Sequence, residues 1–159
     1  MRVTGPDRYK LSFSPGKFTL SCSKGGAKFS GAATSHLPKL YVVSVDERPI
    51  YVGVTKQSMR NRLNVGWRAE GAGGYYGYPW RHKFTEANLD IWHHEDAPPD
   101  NPLHDMETVE AEVVFLVRSA GQWPTCQTEI HFHPSRQAHR DVASAIVGRY
   151  ITLTRPTSQ

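Results

Sequence analysis

Near the N-terminus apolar and polar positions alternate: Tyr9, Leu11 and Phe13, then Phe18, Leu20 and Cys22, flank Ser14-Pro15-Gly16-Lys17. Period two on both sides of a Pro-Gly pair predicts a β-hairpin. A linker rich in Gly, Ser and Ala follows from Ser23 to Ser35. Leu40 to Val45 and Ile50 to Val54 are short apolar strands joined by the turn-like Asp46-Glu47-Arg48-Pro49, which predicts a second hairpin. With that turn near Asp46, Tyr41 falls opposite or diagonal to Tyr51, and the alternation puts both rings on one face.

Beyond Thr55 the period lengthens. Thr55 or Ser58 caps a helix that runs through Met59 and Leu63 and weakens at Gly66. Gly71 to Trp80 is a Gly/Tyr loop, and Leu89 to His93 is a third strand ahead of the Pro-rich acidic loop Asp96 to Pro102. Met106, Val109, Val113, Leu116, Val117 and Ala120 recur at helical spacing over Leu103 to Ala120, closed by Gly121. A strand at Thr128 to His133 and a helix at Arg136 to Tyr150 end the chain. The fold class expected is α/β in the broad sense, α+β in detail. A mainly antiparallel three-stranded sheet flanked by helices occupies 37–134, with an N-terminal hairpin arm and linker at 1–36 and a C-terminal helix and tail packed on the core at 135–159.

Composition narrows the class. A chain of 159 residues with 38% apolar and 21% charged residues is that of a globular protein able to bury a core without staples. No uncharged apolar run approaches the roughly eighteen residues of a membrane helix, and no signal-peptide core opens the sequence, so a cytoplasmic protein without membrane partners is expected. Cys22 and Cys126 read as free thiols.

Charge is segregated. Residues 1–85 carry 14 Lys/Arg against 4 Asp/Glu, whereas residues 86–112 carry nine Asp/Glu and no Lys or Arg. A basic half with interleaved aromatic residues suits a polyanion, because phosphate neutralisation releases counterions.

One of those acids stands apart. At about 100° per residue, Glu110 lies between Val114 and Val117 and beside Met106 and Val113, on the apolar face of its helix, with Glu107 and Glu112 on the flanks. An ionised carboxylate buried without a counter-charge costs several kcal/mol, so Glu110 requires an arginine, a hydrogen-bond cluster or a metal ion.

Several groups recur in a telling order: Lys39-Leu40-Tyr41, Tyr51-Val52-Gly53, Arg62-Leu63 on the next helix, Val109-Glu110 with Val113 and Val114, and Pro124 followed by Gln127. This set, covering about Leu40 to Gln127, resembles the GIY-YIG nucleases. The resemblance implies a divalent-metal-dependent endonuclease that hydrolyses double-stranded DNA. Tyr41 would accept the proton of the attacking water with its pKa lowered by neighbouring cations, and Tyr51 would orient water and phosphate. Arg62 would neutralise phosphate oxygens, Glu110 would hold Mg²⁺ or Mn²⁺, and Gln127 would stand for the family's asparagine. Lys39 and Leu40 replace Gly and Ile of the first motif, and Gly66 stands where some restriction-type members carry a histidine. Arg60 competes for the arginine role, and Glu129 or Glu112 for that of Glu110.

DNA contacts are expected from Lys56, Arg60, Arg68, Tyr76, Arg81 and Lys83, the last three in or just after the Gly/Tyr loop, and the N-terminal hairpin with Lys10, Lys17, Lys24 and Lys28 reads as a DNA-contacting arm, a dimerisation element or an edge strand of the sheet. Cutting two strands with one site per chain favours a homodimer. Two rival readings are a non-catalytic nucleic-acid-binding module of the same fold, and a zinc-stabilised interaction domain built on His131, His133 and Cys126 or on His93-His94.

Overall fold

The two apolar runs around Asp46 and Glu47 fold onto each other through a two-residue turn in which both residues take positive φ, 50° and 58°, the twist that joins closely paired antiparallel strands. In the computed structural model, which describes residues 1–14, 16–23 and 25–151, the strands are β1 (Val3–Ser14), β2 (Lys17–Cys22), β3 (Lys39–Val45), β4 (Arg48–Thr55) and β5 (Glu86–His94). The helices are α1 (Met59–Arg68), α2 (His104–Ser119) and α3 (Gln137–Val147). Pro15, Lys24 and the tail 152–159, all drawn on in the sequence reading, lie outside the described residues.

The α+β class holds, and the sheet is larger than expected. Its five strands are all antiparallel in the order β2-β1-β5-β3-β4. The N-terminal hairpin is not a detached arm: β1 pairs along β5, with Tyr9 opposite Leu89 and Leu11 opposite Ala87. The linker is docked as well, because Phe29 is buried edge-on against Tyr9, 4.8 Å between ring centroids.

Alternation along the strands divides two apolar layers. One face carries Tyr9, Leu11, Tyr41, Val43, Tyr51, Leu89 and Ile91, covered by Met59, Leu63 and Trp67 of α1 together with Tyr78 and Trp80. The other carries Leu40, Val42, Val52 and Trp92, covered by α2 and α3. β3 is buried on both faces, which explains its unbroken apolar run. Ser58 Oγ accepts the Asn61 N–H at 3.4 Å and starts α1.

The strand expected at 128–133 does not form. Instead the chain lays a short patch along the open edge of β4: Cys126 N–H donates to Ile50 O at 2.9 Å, and the Gln127 amide both accepts from Val52 N–H (2.8 Å) and donates to Val52 O (2.9 Å). An exposed strand edge is thereby closed without a sixth strand. No helix among the described residues is long and apolar enough to cross a membrane.

Buried polar groups lock the elements together. Asp90, fully buried on β5, receives two N–H groups of Arg8 at 2.7 and 2.8 Å and the Tyr150 hydroxyl, and Arg8 also pairs with Glu47 in the hairpin turn. Asp105 at the start of α2 accepts from His139 of α3 at 2.9 Å. Because His139 Nδ1 accepts the Arg136 N–H, its proton sits on Nε2, facing Asp105. Removing the partner of a buried charge costs far more than the pair contributes. Arg8→Ala is therefore expected to lose about 3 kcal/mol of unfolding free energy in urea at neutral pH, and a loss below 0.5 kcal/mol would contradict this account of Asp90.

Candidate active site

Diagonal placement on the second hairpin brings the two phenols together. Tyr41 lies opposite Gly53 and Tyr51 opposite Val43, so both rings rise from the same face with centroids 5.9 Å apart. Gly53 is what lets them approach: a Cβ there would stand 2.6 Å from the Tyr41 hydroxyl and 2.8 Å from Tyr51 Cε1.

α1 delivers Arg62 above them. Its guanidinium stands over the Tyr78 ring at 5.3 Å and the Tyr75 ring at 5.8 Å, and Nη1 donates to the Tyr75 hydroxyl at 3.0 Å. Its remaining N–H groups have no partner among the described residues. Arg60, the competitor, points to solvent over Phe29.

Glu110 belongs to the opposite layer, on α2, the helix that covers Leu40, Val42 and Val52. Its carboxyl feels the charge of Arg62, and its own charge is felt at the Tyr51 hydroxyl. It is 4% exposed and makes no hydrogen bond or ion pair among the described residues. Burial, followed by the repulsion of Glu107, pushes its pKa up to about 8, against the pull of Arg62. Glu107 has its own partner, His133 Nε2 at 2.7 Å. The rival Glu129 is exposed beside His131 at 3.8 Å, and Glu112 is half-buried.

The phenols depart from expectation in charge. Burial drives the pKa of Tyr41 and of Tyr51 upward, and the opposing pull of Arg62 is the weaker effect. Both are neutral at physiological pH, the reverse of the lowering expected for a tyrosinate base. Tyr41 is wholly buried, its hydroxyl 3.0 Å from that of Tyr78.

The remaining candidates separate. Gln127 is engaged through its amide on the Val52 backbone, next to Tyr51. Lys56, Arg68, Tyr76 and Lys83 are exposed, as DNA contacts require. Arg81 is not free: its guanidinium donates to the Gly66 and Ala69 carbonyls and closes the C-terminal end of α1. Tyr78 and Trp80 of the Gly/Tyr loop are core residues, not a groove-reading segment. Among the described residues no three His, Cys, Asp or Glu side chains gather to hold a metal. His131, His133 and Cys126 therefore form no zinc site, with Cys126 buried and His131 exposed.

Sequence reasoning also missed Lys39. Fully buried, it donates to the carbonyls of Ser35 and Leu37 at 2.7 Å each and of Gln57 at 3.1 Å, tying the strand start to the turn before α1. Burial brings its pKa down to about 8. A lysine beside a Gly/Ser/Ala stretch carries no sequence mark of burial.

No protein-family model, curated protein or solved structure matches this chain.

A carboxyl whose folded pKa exceeds its unfolded value keeps its proton while the unfolded chain releases it. The folded state therefore loses stability as pH rises from about 4.5 to about 8. Glu110→Gln removes that loss. In chelator-treated buffer it is expected to stabilise the protein by on the order of 3 kcal/mol at pH 9 and by little at pH 4. Equal effects at both pH values would show that Glu110 is not the strained acid described.

Proposed function

We propose that the chain is a divalent-cation-dependent endonuclease that hydrolyses DNA phosphodiester bonds, with the residue set of the GIY-YIG nucleases at its centre. The observation that carries this reading is Glu110, a buried carboxyl without a partner, within electrostatic reach of an arginine with spare N–H groups and of a tyrosine pair.

The donor set fits a hard cation. One carboxylate suits Mg²⁺ or Mn²⁺, which keep several waters, whereas zinc takes three or four side-chain ligands. When bound, such a cation supplies positive charge to the departing 3′ oxygen.

The protein's own groups do the rest. Arg62 offers a planar fork to the non-bridging phosphate oxygens, where charge grows along the reaction. The neutral phenols of Tyr41 and Tyr51 orient the attacking water by hydrogen bonds, a role that their raised pKa values allow. Lys56, Arg60, Arg68 and Lys83 hold the phosphate backbone without reading sequence. A homodimer would bring one site to each strand.

A second reading, a nucleic-acid-binding module that does not cut, draws on the complete burial of Tyr41. Incubation with supercoiled plasmid separates the two. The wild-type protein is expected to nick or linearise DNA with Mg²⁺ or Mn²⁺. Arg62→Ala loses at least ~100-fold in rate, and Glu110→Gln abolishes cutting while retaining DNA binding. Mg²⁺ should also raise the melting temperature of the wild type but not that of Glu110→Gln. Binding without cutting under any divalent cation would establish the module instead.

A further inference from the structure

We propose that Tyr78 is a positioning residue for Tyr41, its hydroxyl taking the Tyr41 hydrogen and leaving the Tyr41 oxygen lone pairs to hold the attacking water. The catalytic part of this inference rests on the nuclease reading above; the hydrogen-bond arrangement does not.

The hydrogens can be counted. Each phenol has one to donate. The Tyr78 hydroxyl lies 3.0 Å from the Tyr41 hydroxyl and 3.4 Å from the Arg62 main-chain oxygen. A carbonyl only accepts, so the Tyr78 hydrogen goes to Arg62. The hydrogen between the two phenols is then that of Tyr41. With its hydrogen turned toward Tyr78, Tyr41 presents only lone pairs elsewhere and becomes an acceptor. A water donating to those lone pairs keeps its own lone pair available for phosphorus.

The loop is built to hold this hydroxyl. Tyr78 stacks on Trp80, centroids 4.8 Å apart at 28°, and meets Tyr51 edge-on at 5.5 Å. Its ring lies against Gly66, one turn beyond Arg62, where a Cβ would run into it. Tyr78 N–H donates to Gly66 O at 3.4 Å, and Arg81 donates to the same carbonyl. A phenylalanine would fill the same space and make the same ring contacts. The hydroxyl is the part that touches Tyr41 and the Arg62 backbone.

Tyr78→Phe removes that hydroxyl and keeps the ring. The variant is expected to melt within about 3 °C of the wild type, to bind DNA within about twofold, and to lose about 10- to 100-fold in kcat with KM little changed. In ¹³Cζ-tyrosine NMR of the metal-free protein, the Tyr41 resonance should move upfield, as a phenol does when it loses its acceptor. Tyr75→Phe, which touches Arg62 and not Tyr41, should leave that resonance in place. A downfield shift would show that Tyr78 donates to Tyr41, and either that or an unmoved resonance overturns the proposal. So does wild-type kcat in Tyr78→Phe. If the wild type itself fails to cut, the nuclease reading falls, and the NMR arm still decides whether Tyr78 holds the Tyr41 hydrogen.

Discussion

The candidate site is arranged about the second hairpin, whose outer strand β4 lies at the edge of the sheet and carries Tyr51 and Gly53 beside Tyr41 of β3. A strand buried between two neighbours would wall one layer off from the other. No further strand pairs beyond β4 among the described residues, and the charge of Glu110 in one helical layer is coupled to Arg62 and Tyr51 of the other. The opening brings a cost, since an unpaired edge leaves backbone donors and acceptors exposed to any passing strand. Cys126 and Gln127 meet that cost with three hydrogen bonds to Ile50 and Val52. Alternation then does the sorting: Tyr51 and Gly53 face the phenol layer, and Val52 faces α2.

The buried charges of this protein differ in how they are satisfied, and the difference singles out Glu110. Lys39 has three carbonyl oxygens around its ammonium, Asp90 has an arginine fork and a phenol, and Asp105 has His139 and Arg136. Glu110 alone among these has neither hydrogen bond nor ion pair, and like charges on Glu107 and Glu129 press on it as well. A fold that solves the same problem three times elsewhere retains here a carboxyl that favours its neutral form. Positive charge supplied from outside would resolve that imbalance, and on the nuclease reading proposed above a divalent cation would supply it.

Much of this arrangement can be read from local pattern. Period two around Asp46 places Tyr41 diagonal to Tyr51, and helical phase puts Glu110 on the apolar face of α2, both as found. What escapes local pattern is long-range. Pairing of β1 with β5 joins residues some eighty positions apart, and no alternation in either strand names its partner. Aromatic residues among glycines look like an exposed loop. Tyr78 and Trp80 are buried because Gly66, in a different element, leaves the space for a ring, and Arg81 is drawn inward by the open carbonyls at the end of α1. Lys39 is equally hidden, since its three acceptors come from irregular backbone on two sides of β3. The direction of the phenol shifts fails for a related reason: the arginine is visible in the sequence, but the desolvation that outweighs it is a property of the closed layer.

Preorganisation follows from where the parts are mounted. Tyr41 and Tyr51 stand on paired strands, and Arg62 and Glu110 on helices packed against opposite faces, so four of the side chains are fixed by elements that cannot shift singly. The exception is the loop that carries Tyr75 and Tyr78, a less regular support. It is held at Gly66, where the Tyr78 ring, the Tyr78 N–H and the Arg81 guanidinium converge on a single residue of α1. Gly66 lies one turn from Arg62, so the contact that anchors the loop also fixes the phenol hydroxyls relative to the guanidinium. Rigid donors aimed before the reaction begins cost no reorganisation when charge develops on phosphate. The same clamp explains why Tyr78 and Trp80 of this aromatic loop are built into the core while Tyr76 stays exposed: the two buried rings set the geometry of the phenol hydroxyls beside them.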